Sequence, residues 1–281
     1  MKTLLHQIAE TNHFHLSTYS ELSGGDINAV YLLQSESGKF VVKVNSAEEF
    51  PGMFDAEARG LQLLTESGSF RIPQVKNHGS IGPHSYLLLE YIPSTSPNLD
   101  FAQQFAKNLA TLHSRDNSYF GLDHDNYIGS LKQHNDNRGN AADFYISQRL
   151  EPQFRLAADK GFRFKSLDDF YSTIIKVIPD DPPSLIHGDL WSGNFLVSES
   201  GSPTLIDPAI SFAPREMDLA MMQLFGGFSE ETFHLYNENF PLTSGWNERI
   251  PLWQLYYLLV HLNLFGSGYL SGVQRAMRPF L

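Results

Sequence analysis

The chain has no cysteine in its 281 residues. That excludes disulfides, thiolate nucleophiles and zinc sites built on sulfur, and it is compatible with a reducing compartment. A basic excess is also missing: 20 Lys and Arg stand against 31 Asp and Glu, a formal net charge of −11. This argues against nucleic acid or an anionic membrane surface as partner. Nor is there a long apolar run. The longest, Trp253 to Phe265, is interrupted by Gln254, His261 and Asn263, too short and too polar to span a bilayer. At the N-terminus, Met1-Lys2-Thr3-Leu4-Leu5-His6-Gln7 breaks off before a signal-peptide core could form. A cytoplasmic protein without membrane contact is expected.

What is present suits a folded enzyme-sized chain. Hydrophobic residues make up 42% and charged residues 18%, which supports a sizeable core, and the length suits two lobes. Ala29 to Gln34 and Lys39 to Val44 are two β-rich runs around Ser35-Glu36-Ser37-Gly38, a hairpin signal. Phe54 to Thr65 carries a helical period, and Val75 to Gly79 and Tyr86 to Ile92 read as further strands. The expected small lobe, residues 1–92, is thus a β-rich sheet with one helix. Pro93-Ser94-Thr95-Ser96-Pro97-Asn98 is a linker. Beyond it, Phe101, Phe105, Leu109 and Leu112, and later Leu252, Leu255, Leu259 and Leu262, recur at helical spacing. Residues 93–281 are expected to form a larger, mainly helical lobe with a small β insert. The fold class is α+β.

That insert carries the chemistry. Leu185-Ile186-His187-Gly188-Asp189-Leu190-Trp191-Ser192-Gly193-Asn194 fits the pattern His-x-Asp-Leu-x-x-x-x-Asn of kinase catalytic loops, and Asp207 follows a short hairpin in Thr204-Leu205-Ile206-Asp207-Pro208. Phosphoryl transfer needs an acceptor hydroxyl held in line with a γ-phosphate. Asp189 would accept that hydroxyl's hydrogen bond and finally its proton. With an ordinary pKa of about 3.9 it would be a weak base, acting mainly through orientation. Asn194 and Asp207 offer the hard oxygen ligands that Mg²⁺ prefers, its other positions being left to water and phosphate. A bare polar turn after a strand would explain a lone Asp or Asn, but not five matching positions between two apolar runs.

The nucleotide side is read from the small lobe. Lys43 stands among valines in Phe40-Val41-Val42-Lys43-Val44, where an ammonium needs an anionic partner or solvent. Glu57 shares one helix face with Phe54, Leu61 and Leu64, and a carboxylate on an apolar stripe is costly unless paired. A Lys43–Glu57 pair would fix the lysine over the α- and β-phosphates of ATP. Gly24, Gly25 and Asp26, in Ser23-Gly24-Gly25-Asp26, lie where backbone amides could approach phosphates, although the segment does not match Gly-x-Gly-x-x-Gly. Glu90, Tyr91 and Ile92 end the last small-lobe strand, where main-chain groups could meet adenine.

Taken together, these residues resemble the fructosamine kinase family, within the larger group of aminoglycoside phosphotransferases and choline kinases. The more specific segments are His187 to Asn194, Arg215-Glu216-Met217-Asp218-Leu219-Ala220-Met221 with Leu224 to Phe228, Asn126-Tyr127-Ile128-Gly129-Ser130, and Leu255 to His261. The resemblance implies a protein-kinase-like two-lobe fold and ATP- and Mg²⁺-dependent phosphorylation of ketosamines. These are fructosamine, ribulosamine or erythrulosamine adducts, free or on glycated proteins, and their phosphorylation leads to deglycation. It implies Asp189 as proton acceptor, Asn194 and Asp207 as metal ligands, Glu90 to Ile92 as the adenine contact, and Asp218 as a brace beneath the loop. His187 is expected to hold the loop. Trp191 either stacks on the acceptor or packs; Arg215 and Glu216 either line the acceptor site or pair with each other. Two alternatives stand beside this reading: a kinase of another small hydroxyl compound, aminoglycoside- or choline-like, and a nucleotide-binding pseudokinase.

Overall fold

The computed structural model describes residues 1–22 and 27–281. The chain opens with helix α1 (Lys2–Thr11), followed by strands β1 (Leu16–Glu21), β2 (Ala29–Ser35) and β3 (Gly38–Ser46), helix α2 (Met53–Glu66), and strands β4 (Val75–Ile81) and β5 (His84–Glu90). The five strands form one antiparallel sheet in the order β1-β2-β3-β5-β4. The β2–β3 hairpin closes on Ser35↔Gly38, and Gly38, with φ of 129°, supplies the turn conformation that side chains resist. Along β3, Val42 and Val44 point into a small core with Leu33 and Leu88.

Among the described residues up to 92 there are two helices where the sequence led us to expect one. Helix α1 buries Leu4, Leu5, Ile8 and Ala9, an i, i+4 stripe that packs with Leu16, Leu33, Val44 and Leu88. Strand β1 also lay outside the expected set. Five of its six residues are exposed, so it has no alternation to read.

Helix α2 has the anticipated stripe. Phe54, Leu61 and Leu64 are buried and join residues of the second half, Phe101, Phe105, Leu205 and Ile210, in one hydrophobic cluster. The linker leaves β5 and is tied down by Thr95 N–H donating to Val197 O at 2.8 Å.

The second half contains α3 (Phe101–His113), the hairpin β6 (Asn126–Ile128) and β7 (Leu131–Gln133), α4 (Ala141–Phe144), α5 (Glu151–Asp159) and α6 (Leu167–Ile174). The turn between α4 and α5 widens to a π-helix over Tyr145–Leu150, directly before Pro152, which has no N–H to continue an α-helical ladder. Then come β8 (Ser184–Ile186), β9 (Phe195–Val197), β10 (Pro203–Leu205) and β11 (Ser211–Ala213). Helices α7 (Glu216–Phe225), α8 (Glu230–Asn239), α9 (Trp246–Phe265) and α10 (Leu270–Met277) complete the chain. Helix α9 is the centre of this half: Leu252, Leu255, Leu259 and Leu262 are fully buried. Among the described residues no helix is long and apolar enough to cross a membrane.

Candidate active site

Two short sheets create the loop that the sequence singled out. Strand β8 pairs with β11, and β9 with β10, both antiparallel. The chain leaves β8 at Ile186, turns through 187–194, and enters β9, so residues 187–194 and 206–210 run side by side. Cross-links fix that register: Ala209 N–H donates to His187 O at 2.9 Å and Ile206 N–H to Asn194 O at 3.0 Å. Gly188 has φ of 83°, and a Cβ there would lie 2.0 Å from the Ala209 carbonyl oxygen. Only glycine fits. Leu190, fully buried, anchors the loop in the cluster beneath it.

Asp189 is held from one side. Asn194 Nδ2 donates to both the main-chain oxygen and Oδ2 of Asp189, each at 2.8 Å. Burial pushes the Asp189 carboxyl up to about 7, the Asn194 hydrogen bond pulling the other way and the charges of Asp207 and Asp218 adding to the rise. The carboxyl thus lies far above the ordinary value of about 3.9 that the sequence alone led us to expect.

His187 lies under the loop and is fully buried. Its Nε2 faces Ile206 O at 2.9 Å and its Nδ1 faces Asp189 N at 3.3 Å. A carbonyl can only accept and an amide N–H only donate, so the ring is neutral with the proton on Nε2. Burial, pushing its pKa down, favours the same state. Its placement is that of a loop support. Asp218, also fully buried, accepts from His187 N–H at 2.7 Å and Gly188 N–H at 2.8 Å.

Lys43 reaches across from β3. Its Nζ lies 2.5 Å from Glu57 Oε1 and 2.6 Å from Asp207 Oδ1. Burial works against its charge, but the carboxylates of Asp207 and Glu57 outweigh that and hold the ammonium protonated well above its ordinary range. Asp207 takes a left-handed backbone with φ of 56°, one that Asp tolerates better than bulky residues.

Asn194 Nδ2 is committed to Asp189, which turns its amide oxygen into the free acceptor. One oxygen of Asp207 faces Lys43, leaving the other for a ligand. One amide and one carboxylate oxygen fit Mg²⁺, which binds through few protein ligands and keeps phosphate oxygens and waters. No cluster of three His, Cys, Asp or Glu competes among the described residues.

These groups open on one cavity of about 540 Å³, whose walls include Lys43, Glu57, Asp189, Trp191, Asn194 and Asp207. That size is ordinary for a small-molecule site. Its far wall was not anticipated. Phe225 and His261 are stacked with ring centroids 4.5 Å apart, and Tyr269 lies 5.0 Å from His261. Trp191 meets Phe225 edge to face at 6.3 Å and is 37% exposed. The sequence did carry a signal, since Tyr257, His261 and Phe265 are spaced four apart on α9.

Other expected site residues lie elsewhere. Gly24, Gly25 and Asp26 fall outside the described residues. Glu90 spends its carboxylate on Arg71 Nη2 at 2.9 Å and on Gln74 N–H at 3.2 Å, Tyr91 lies under the Lys39 ammonium at 5.7 Å, and Ile92 is buried. None of the three lines the cavity described above. Arg215 and Glu216 need correction: they neither line the cavity nor pair with each other. Arg215 donates to Tyr236 Oη at 3.2 Å and to the carbonyls of Phe240 and Pro241. Glu216, 1% exposed, accepts from Arg249 Nη2 at 2.6 Å and from Trp253 Nε1 at 2.7 Å. Both are framework residues, their partners lying beyond residue 235, too far along the chain for local pattern to reveal.

The family model described as fructosamine kinase matches residues 1–281. A protein named a probable ketoamine kinase from Enterococcus faecium is 38% identical, over 92% of this chain and 93% of its own. One from Synechocystis is 36% identical, over 100% and 96%. Among solved structures, a provisionally named fructosamine-3-kinase from Thermobifida fusca is 32% identical with a TM-score of 0.88, covering 99% of this chain and 98% of that one. An aminoglycoside phosphotransferase at 17% identity still reaches a TM-score of 0.67, over 99% and 98%, a likeness of fold alone. This protein is a phosphotransferase of the kinase-like fold and belongs to the fructosamine kinase family.

Proposed function

We propose that the protein transfers the γ-phosphoryl group of ATP to a sugar hydroxyl of ketosamines, and that the phosphorylated adducts then release their amines. The observation that carries this reading is the convergence of Lys43, Asp189, Asn194 and Asp207 on one cavity that also has an aromatic wall.

In this mechanism Lys43, held by Glu57, binds the phosphates of the nucleotide. Asn194 and Asp207 would hold a magnesium ion, which when bound neutralises charge on the phosphate oxygens. Asp189 accepts a hydrogen bond from the acceptor hydroxyl and orients its oxygen in line with the γ-phosphorus. As the new O–P bond forms, the bond to the bridging oxygen breaks, ADP departs with the electron pair, and the hydroxyl proton passes to Asp189. Trp191 and the rings behind it offer apolar faces to a sugar and its amine carrier, and exclude water from the transfer.

Ribulosyl-lysine, fructosyl-lysine and a ribosylated protein should each be offered with ATP and magnesium, and ADP release followed, beside an aminoglycoside and choline. Turnover confined to the ketosamines is expected. Turnover of the aminoglycoside or choline with none of the ketosamines would overturn the substrate assignment.

A further inference from the structure

Asp218 does not stand alone beneath the catalytic loop. His113, at the end of α3, is fully buried, and its Nε2 lies 3.2 Å from Asp218 Oδ2. Its Nδ1 lies 2.8 Å from the hydroxyl of Tyr236 on α8, and that hydroxyl takes a hydrogen bond from Arg215 Nη1 at 3.2 Å. Tyr236 is fully buried, and the Arg215 guanidinium is stacked on Phe240 at 3.9 Å.

Chemistry fixes the direction of every link. A guanidinium can only donate, so the Tyr236 oxygen accepts from Arg215 and its own proton points to His113. His113 Nδ1 therefore accepts, and its proton resides on Nε2, facing the carboxylate. Asp218 accepts three times: from His187 N–H and Gly188 N–H, which can only donate, and from His113 Nε2–H. The same tautomer occurs in His187 on the other side of Asp218, for the independent reasons given above.

We propose that His113 and Tyr236 are positioning residues of the phosphoryl transfer: a one-directional hydrogen-bond chain, Arg215 to Tyr236 to His113 to Asp218, sets the backbone of residues 187 and 188 and so the aim of the Asp189 carboxylate. None of the three donors in this chain touches the cavity. They join α3, α7 and α8 to a loop whose geometry must be held to a fraction of an ångström, since small misplacements of reacting groups are expensive. The inference rests on phosphoryl transfer at Asp189 but not on which acceptor is used.

The test compares Tyr236→Phe, His113→Gln and His113→Leu in the full chain, below the melting temperature of each. Tyr236→Phe keeps the ring and removes only the hydroxyl. Glutamine at 113 retains an N–H that can face Asp218; leucine has none. Expected are a drop in kcat of about tenfold for Tyr236→Phe and of about a hundredfold for His113→Leu, with partial recovery in His113→Gln. The KM for ATP should stay within about twofold of the original in all three, because the phosphate-binding groups are untouched. Nitrogen-15 spectra of the imidazoles should show His113 as the Nε2–H tautomer, and lose that fixed signature in Tyr236→Phe. If His113→Leu does not fold, the other two variants decide. Folded variants with unchanged kcat, or a His113 proton on Nδ1, would overturn the proposal. The assay uses whichever acceptor the panel above identifies, so failure on ketosamines counts against the substrate reading alone, and equal kcat values count against the chain alone.

Discussion

The ammonium nitrogen of Lys43 lies 2.6 Å from Oδ1 of Asp207, a residue 164 positions further along the chain. The contact crosses from the sheet half to the helical half, and Glu57 takes the same nitrogen from the other side at 2.5 Å. The Lys43 and Glu57 side chains are both largely buried. Removing the lysine would leave the Glu57 carboxylate without a counter-charge, a change that typically costs about 3–5 kcal/mol. We predict that Lys43→Met lowers the melting temperature clearly and nearly abolishes turnover. Adding Glu57→Gln should recover much of the stability and none of the activity. Denaturation and ADP-release assays on the two variants check this.

In the proposed reaction Asp189 serves the transfer and not the binding of nucleotide. Asp189→Asn keeps the side-chain shape and can still meet Asn194, but has no basic oxygen. Turnover should fall by about 10²–10⁴, while ATP still raises the melting temperature by as much as in the unaltered protein. Loss of that nucleotide-induced shift would mean that Asp189 supports binding instead.

Gly193 lies against the Trp191 ring. A Cβ at 193 would come within 2.4 Å of the ring carbon Cη2, so Gly193→Ala must push the indole aside. The KM for the acceptor should rise by about tenfold, within the range of a lost aromatic contact, with the KM for ATP unchanged. A change in the ATP value alone would place Trp191 outside the acceptor site.

Burial pushes the pKa of His113 below its ordinary value, against the opposing pull of Asp218. In the unfolded chain this imidazole protonates near pH 6.5; in the folded protein it stays neutral to lower pH. Below about pH 6.5 the unfolded state therefore binds the extra proton, and stability falls by about 1.4 kcal/mol per pH unit from this residue until its folded pKa is reached. His187 and His261 shift in the same direction. Asp189, whose folded carboxyl is pushed up to about 7, works in the opposite direction over the same range, so the measurement is a difference: between pH 7.5 and 5.5 the unfolding free energy of the unaltered protein should lose ground relative to that of His113→Gln.

The sequence made some of this legible and hid the rest for identifiable reasons. Strand β2 and helix α2 were readable because each buries one face and so carries a period, and β3 and β5 because each is a short apolar run buried on both faces and bounded by turn signals. Strand β1 was not, because an edge strand with one buried residue leaves no alternation. The loop from His187 to Asn194 stood out because the transfer chemistry restricts residue types at fixed spacing. The duties of Arg215 and Glu216 stayed hidden because Tyr236, Phe240 and Arg249 reach them only through the fold. His261 carried no role in the sequence because its contact with Phe225 depends on how α7 meets α9.

The hydrophobic cluster beneath the linker has a mechanical consequence. Phe54, Leu61 and Leu87 from the first ninety residues are packed in one continuous mass with Phe105, Leu109 and Leu205. Cleaving the chain at the linker would not yield a self-sufficient fragment on either side, since each would bare part of that mass to water. A wide swing of the two halves about the linker would bare the same residues, so only motions that keep this mass together avoid that cost.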